Sequence, residues 1–90
     1  PALAATFNAD RAKEMGVALG LETRSSGFQQ IAGPGMNMYR TPYSGRSFEY
    51  VSGEDPYLGA VMAAAEINGI QSQGVWADAK HYIANEQEAN

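Results

Sequence analysis

The chain of ninety residues has no cysteine, which excludes a disulfide framework and thiol chemistry without choosing a compartment. Basic residues are few and scattered. Six Lys and Arg against ten Asp and Glu leave a formal net charge of −4, with no cationic cluster that would mark a nucleic-acid surface. An uncharged substrate suits this balance better. A signal peptide and an apolar run long enough to cross a membrane are both lacking. Neither nucleic acid nor a membrane is therefore expected as a partner. Because it opens at Pro1 and closes on polar residues at Asn90, the chain is expected to be a segment of something larger, from which targeting signals can be missing. The apolar fraction of 44% fits a packed core and argues against a disordered tail, although ninety residues lie near the lower limit for one core.

The organising stretch is Val75-Trp76-Ala77-Asp78-Ala79-Lys80-His81, an apolar run that stops at a cation and the one histidine of the chain. It reads as a buried strand whose end opens onto a polar cavity. Desolvating a charge without a partner is costly, whereas at the mouth of a parallel sheet Lys and His can meet a ligand. Lys80 and His81 are thus candidates to grip hydroxyls or an anion. The plain alternatives are a solvated lysine and a structural histidine.

Asn8 and Asp10 are good N-caps, and Ala12, Met15, Leu19 and Glu22, widened by Val17 and Leu21, trace one side of a helix over residues 9–25. Gly16 and Gly20, one turn apart, imply a close neighbour on that face, most simply a packed sheet. Gly27 ends the helix, and residues 28–32 form a short strand before Gly33-Pro34-Gly35. Residues 33–55 lack periodicity and carry Arg40, Arg46, Glu49, Glu54 and Asp55; a loop of this length is functional or disordered. Its aromatics, Tyr39, Tyr43, Phe48, Tyr50 and neighbouring Tyr57, favour order, and each can either brace the loop or stack on a ligand. Asp55-Pro56 begins a second helix, in which Leu58, Val61, Met62, Ala65 and Gly69 keep helical spacing, Ile67 and Ile70 broaden the face, and Gly74 closes it. A strand over residues 75–80 follows.

This order predicts an α/β architecture of parallel βα units. Both strand ends then share one edge, which carries Arg46 toward Lys80 and His81. Two strands and two helices cannot cover both faces of a sheet, so further strands are expected on either side in the parent protein.

Several weaker signals compete. His81 with Glu86 or Glu88 lacks the spacing of a helical zinc site, so no metal is expected, and no cofactor either. The proline of Gly33-Pro34-Gly35 removes an NH that a phosphate cradle needs. Met36 and Met38 read as packing, and Asp55 as a helix cap.

Ala32-Gly33-Pro34-Gly35-Met36-Asn37, then Gly45-Arg46-Ser47-Phe48-Glu49-Tyr50, Gly53-Glu54-Asp55-Pro56-Tyr57-Leu58, and Lys80-His81-Tyr82 with Asn85-Glu86-Gln87-Glu88 resemble the first-domain signatures of glycoside hydrolase family 3, most closely its β-glucosidases. The opening Leu3-Ala4-Ala5-Thr6-Phe7-Asn8 is similar to the phrase after that family's second barrel strand, so the likeness runs through essentially the whole chain. It implies that residues 1–90 are a fragment of the N-terminal (β/α)8 TIM-barrel domain, roughly its third and fourth units. It also implies that Arg46, Lys80 and His81 hold the hydroxyls of the sugar before the scissile bond. Asp78 departs from the small or apolar residues usual in that strand.

Those residue types suit the task. Arg46 can span two adjacent hydroxyls with its planar fork, Lys80 offers a compact charge, and His81 donates or accepts according to its tautomer. Glu49 can either orient the cations or brace the loop through backbone NH groups. Retaining hydrolysis needs two carboxyl groups about 5 to 5.5 Å apart, and none in this chain is assigned as catalytic. Glu86 and Glu88 are read as solvated or loop-bracing, and the resemblance implies that both catalytic acids lie outside the segment. The implied parent is a retaining, exo-acting β-glycosidase acting on a β-glucoside or oligosaccharide, with these ninety residues inactive alone. The alternative is a non-catalytic carbohydrate-binding or structural barrel. Among enzymes, β-xylosidase and N-acetylglucosaminidase stay open.

Overall fold

The computed structural model describes residues 2–86. A short 3-10 turn at Ala4–Thr6 leads into helix α1, Ala9–Ser25. Asn8 caps it, its side-chain oxygen accepting from the backbone NH groups of Asp10 and Arg11 at 3.0 and 3.3 Å. Strand β1 is Gln30–Ile31, helix α2 is Pro56–Gln71, and strand β2 is Trp76–Ala77. Asp55 caps α2 by accepting from the Leu58 NH at 3.0 Å, and Pro56 occupies the first turn, where its missing NH costs nothing. Gly27 and Gly74, with φ of 85° and 74°, turn the chain out of the two helices as expected.

The strands are parallel, Gln30 opposite Trp76 and Ile31 opposite Ala77, which bears out the βα alternation. Their lengths fall short of expectation. Regular pairing covers two residues of each strand instead of the five over residues 28–32 and the six over residues 75–80. Nor is the second strand buried throughout. Val75 is enclosed, but Trp76 is 74% exposed and Asp78 faces solvent, where it accepts from the Gln30 side chain at 3.2 Å. The reason is the period of two: residues 75 and 77 turn toward the helices, whereas 30, 76 and 78 share a face that no helix among the described residues covers.

The close neighbour of Gly16 and Gly20 is α2, not the sheet. A Cβ on Gly16 would lie 2.1 Å from the Glu66 carbonyl oxygen, and one on Gly69 would lie 2.2 Å from the Lys13 carbonyl oxygen. The helices cross backbone to backbone, which only hydrogen side chains permit. Consequently the buried face of α1 is Ala12, Gly16 and Gly20, while Met15 is largely exposed. On α2 the buried face is Gly59, Met62, Ala63, Glu66, Gly69 and Ile70, shifted from the stripe expected through Leu58 and Val61. Ala4, Ala12, Val51 and Met62 form the core cluster. Burial pushes the Glu66 carboxyl above its usual pKa.

Gly69→Ala in the intact protein is expected to lower stability by about 2 kcal/mol or more, because the added methyl has no room and its three nearest contacts are all backbone atoms. Gly45→Ala, where a Cβ meets nothing within 4 Å, is expected to stay within about 0.5 kcal/mol of the parent. Denaturant midpoints check the pair, and equal stability of the two variants would refute the crossing.

Candidate functional site

Past the short strands the backbone pairing resumes as two single bridges. Gly35 lies between Tyr50 on one side and Lys80 on the other, both parallel. The Val51 NH donates to the Gly35 carbonyl at 2.8 Å, the Lys80 NH to Pro34 at 3.0 Å, and the Met36 NH to Lys80 at 2.6 Å. Three segments from the loop, the end of β1 and the end of β2 therefore run side by side. A Cβ at Gly35 would stand 2.7 Å from the Glu49 carbonyl oxygen, so glycine is what lets the loop close onto the strand end. The Gly33-Pro34 and Lys80-His81 peptide bonds are cis.

A 3-10 turn, Ser47–Glu49, follows Arg46. Its three-residue spacing puts the Glu49 carboxylate beside the guanidinium, with Arg46 Nε donating to Oε1 at 2.6 Å. The other oxygen, Oε2, accepts from Lys80 Nζ at 2.6 Å. One carboxylate thus joins Arg46 and Lys80, which are thirty-four positions apart in sequence. Hydrogen bonds from Lys80 and then Arg46 hold the Glu49 pKa down at about 2. All three side chains are partly exposed: 38% for Arg46, 27% for Lys80 and 20% for Glu49.

His81 adjoins this group without a hydrogen bond to it among the described residues. Its backbone NH donates to the buried Asn37 side chain at 2.6 Å. Its ring meets the fully buried Tyr50 edge-on, with centroids 5.9 Å apart, and Nδ1 lies 3.3 Å from the Tyr50 hydroxyl. The hydroxyl also lies within donating distance of Asn85, 3.0 Å from its side-chain oxygen and 3.2 Å from its carbonyl. With the hydroxyl proton given to Asn85, the Nδ1 contact requires a hydrogen on Nδ1, and in the neutral ring Nε2 is then the acceptor. His81 also lines a groove of about 680 Å³ between α2 and residues 81–86, with Met36, Ala60, Ile67 and Ile83 among its walls. Arg46 and Lys80 do not line it.

Sequence reasoning placed Arg46 and Lys80 at one edge but left Glu49 between two roles; the contacts give it both cations. The support of His81 by Asn37, Tyr50 and Asn85 was missed, although all three lie within the motifs quoted above. Of the aromatics, Tyr50 braces, whereas Tyr43, Phe48 and Tyr57 are exposed. Glu86 binds the Arg40 guanidinium, a bracing contact between loops, and Glu88 lies outside the described residues. Among the described residues no three His, Asp or Glu side chains gather as metal ligands.

Comparison with known proteins adds four findings. The family model of the glycosyl hydrolase family 3 N-terminal domain matches residues 1–90. A β-glucosidase from Ruminococcus albus is 50% identical over 88 residues, 98% of this chain and 9% of that protein. The structure of β-glucosidase 3B from Thermotoga neapolitana in complex with glucose superposes with a TM-score of 0.92 at 46% identity, covering 98% of this chain and 12% of that one. A β-glucosidase from Streptomyces venezuelae in complex with D-glucose gives 0.91 at 40%, over 97% of this chain and 11% of the other. The chain spans about a tenth of the length of these relatives.

A depressed carboxylate pKa stabilises the folded state above its unfolded value, near 4.5, and that contribution is lost as the pH falls through about 2. In the intact protein the stability gap between wild type and Glu49→Gln is accordingly expected to be complete at pH 6 and to narrow steadily between pH 4.5 and 2. Unfolding curves at stepped pH measure it; a gap independent of pH over that range would contradict the double ion pair.

Proposed function

The chain belongs to glycosyl hydrolase family 3, and on that premise we propose that residues 1–90 are part of the N-terminal (β/α)8 barrel of a retaining, exo-acting β-glucosidase. In this reading Arg46, Lys80 and His81 hold hydroxyls of the terminal glucosyl ring. The observation that carries it is the convergence of Arg46 and Lys80 on Glu49 at the carboxyl ends of two parallel strands, the edge where barrel enzymes gather their ligands. The likeness to two β-glucosidases solved with glucose supports the choice of sugar.

The chemistry divides accordingly. Charged donors make shorter and stronger bonds to hydroxyl oxygens than neutral donors, so Arg46 and Lys80 fix which face of the ring is presented. His81, supported from behind by Tyr50, offers Nε2 as an acceptor for a sugar hydroxyl. Such positioning lowers the barrier by holding the anomeric carbon in line for attack. The attacking carboxylate and the general acid come from other parts of the parent chain, about 5 to 5.5 Å apart as retention requires.

In the intact parent, Arg46→Ala or Lys80→Ala is expected to reduce kcat/KM on an aryl β-glucoside by about 1.5 to 3 kcal/mol for each lost charge-assisted bond, with the fold nearly unchanged. Steady-state kinetics beside a thermal melt measure both; wild-type turnover by the Arg46→Ala enzyme would take that residue out of the site.

A further inference from the structure

Two cations side by side at a strand end are the usual means of binding carboxylates and phosphates, not neutral sugars. Here a carboxylate from the chain itself already takes one bond from each. We propose that Glu49 is a positioning residue that fixes Arg46 and Lys80 relative to one another and, by its charge, makes the subsite discriminate against anionic sugars. This deepens the sugar-binding reading of Arg46 and Lys80 and rests on it.

Two features support the assignment. The first is reach: Oε1 meets Arg46 and Oε2 meets Lys80, both at 2.6 Å, so each oxygen fixes a different donor and the length of the side chain sets their separation. Because the backbone of Glu49 is pinned against Gly35, a shorter side chain cannot slide toward both cations. The second is charge. Arg46 and Lys80 each carry a positive charge, and the Glu49 carboxylate already pairs with both, so it offsets one of those charges where an anion would seek them. An anionic sugar must therefore displace or approach a fixed like charge that is itself only one-fifth exposed, a penalty that a hydroxyl does not meet. The carboxylate keeps that charge at any pH well above about 2.

The test uses the intact protein and four enzymes: wild type, Glu49→Gln, Glu49→Asp and Arg46→Ala. The readouts are kcat/KM on an aryl β-glucoside, the inhibition constant of D-glucuronate, and the melting temperature. Glu49→Gln is expected to lose about 10-fold or more in kcat/KM and to bind glucuronate about 10-fold tighter, since the fixed charge is gone but the cations stay. Glu49→Asp keeps the charge but not the reach, so it is expected to lose kcat/KM while its glucuronate inhibition stays at the wild-type level. This second variant decides the positioning role even where Glu49→Gln fails to fold. Wild-type kcat/KM in Glu49→Asp overturns positioning, and unchanged glucuronate inhibition in folded Glu49→Gln overturns discrimination. A loss of kcat/KM in Arg46→Ala beside wild-type values in both Glu49 variants overturns this inference alone. An unaffected Arg46→Ala enzyme overturns the sugar-site reading and this inference with it.

Discussion

A guanidinium and an ammonium bound to the two oxygens of one carboxylate constitute the constraint on which the charged end of this unit depends. Without Glu49, Arg46 and Lys80 would lose the one group that is hydrogen-bonded to both of them. With it, two long side chains from distant parts of the sequence occupy one arrangement. The clasp is only as well placed as the backbone beneath it, and that backbone is held by Gly35, paired on both sides with Tyr50 and Lys80.

Support reaches the site from the helices. The glycine contacts between α1 and α2 bring the helices to within backbone distance. The same packing encloses Val75 and Ile70, so β2 leaves α2 in a defined direction and delivers Lys80 beside the end of β1. Local capping, helix packing and strand pairing thus agree on one outcome, as expected of a sequence whose levels reinforce one another. The face bearing Gln30, Trp76 and Asp78 stays exposed, since among the described residues the two helices lie on the other side of the strands.

The helices were legible because their ends carry chemistry that acts locally: Asn8 and Asp55 satisfy orphan NH groups, and Gly27 and Gly74 take positive φ. Parallel pairing was legible from alternation alone. Strand length was not, since a strand is completed by neighbours that periodicity cannot reveal. Gly16 announced a close approach but not its partner, because a missing side chain is equally compatible with a sheet and a helix. Tyr50 resembled the other loop aromatics in composition, and only the pairing at Gly35 distinguishes the buried ring from exposed Tyr43 and Phe48. Arg46 and Lys80 could be brought to one edge by topology, whereas the choice of Glu49 between orienting cations and bracing backbone depended on a turn geometry that residue types do not specify.

The most direct measurement is a double-mutant cycle on kcat/KM of the intact enzyme, combining Arg46→Ala with Lys80→Ala. If two cations fixed by a shared carboxylate hold one ring, as proposed, they act as a unit, so the double variant is predicted to lose less than the sum of the single losses, by about 0.5 kcal/mol or more. Losses that add to within about 0.3 kcal/mol would mean that the two side chains act independently, and would contradict the shared clasp.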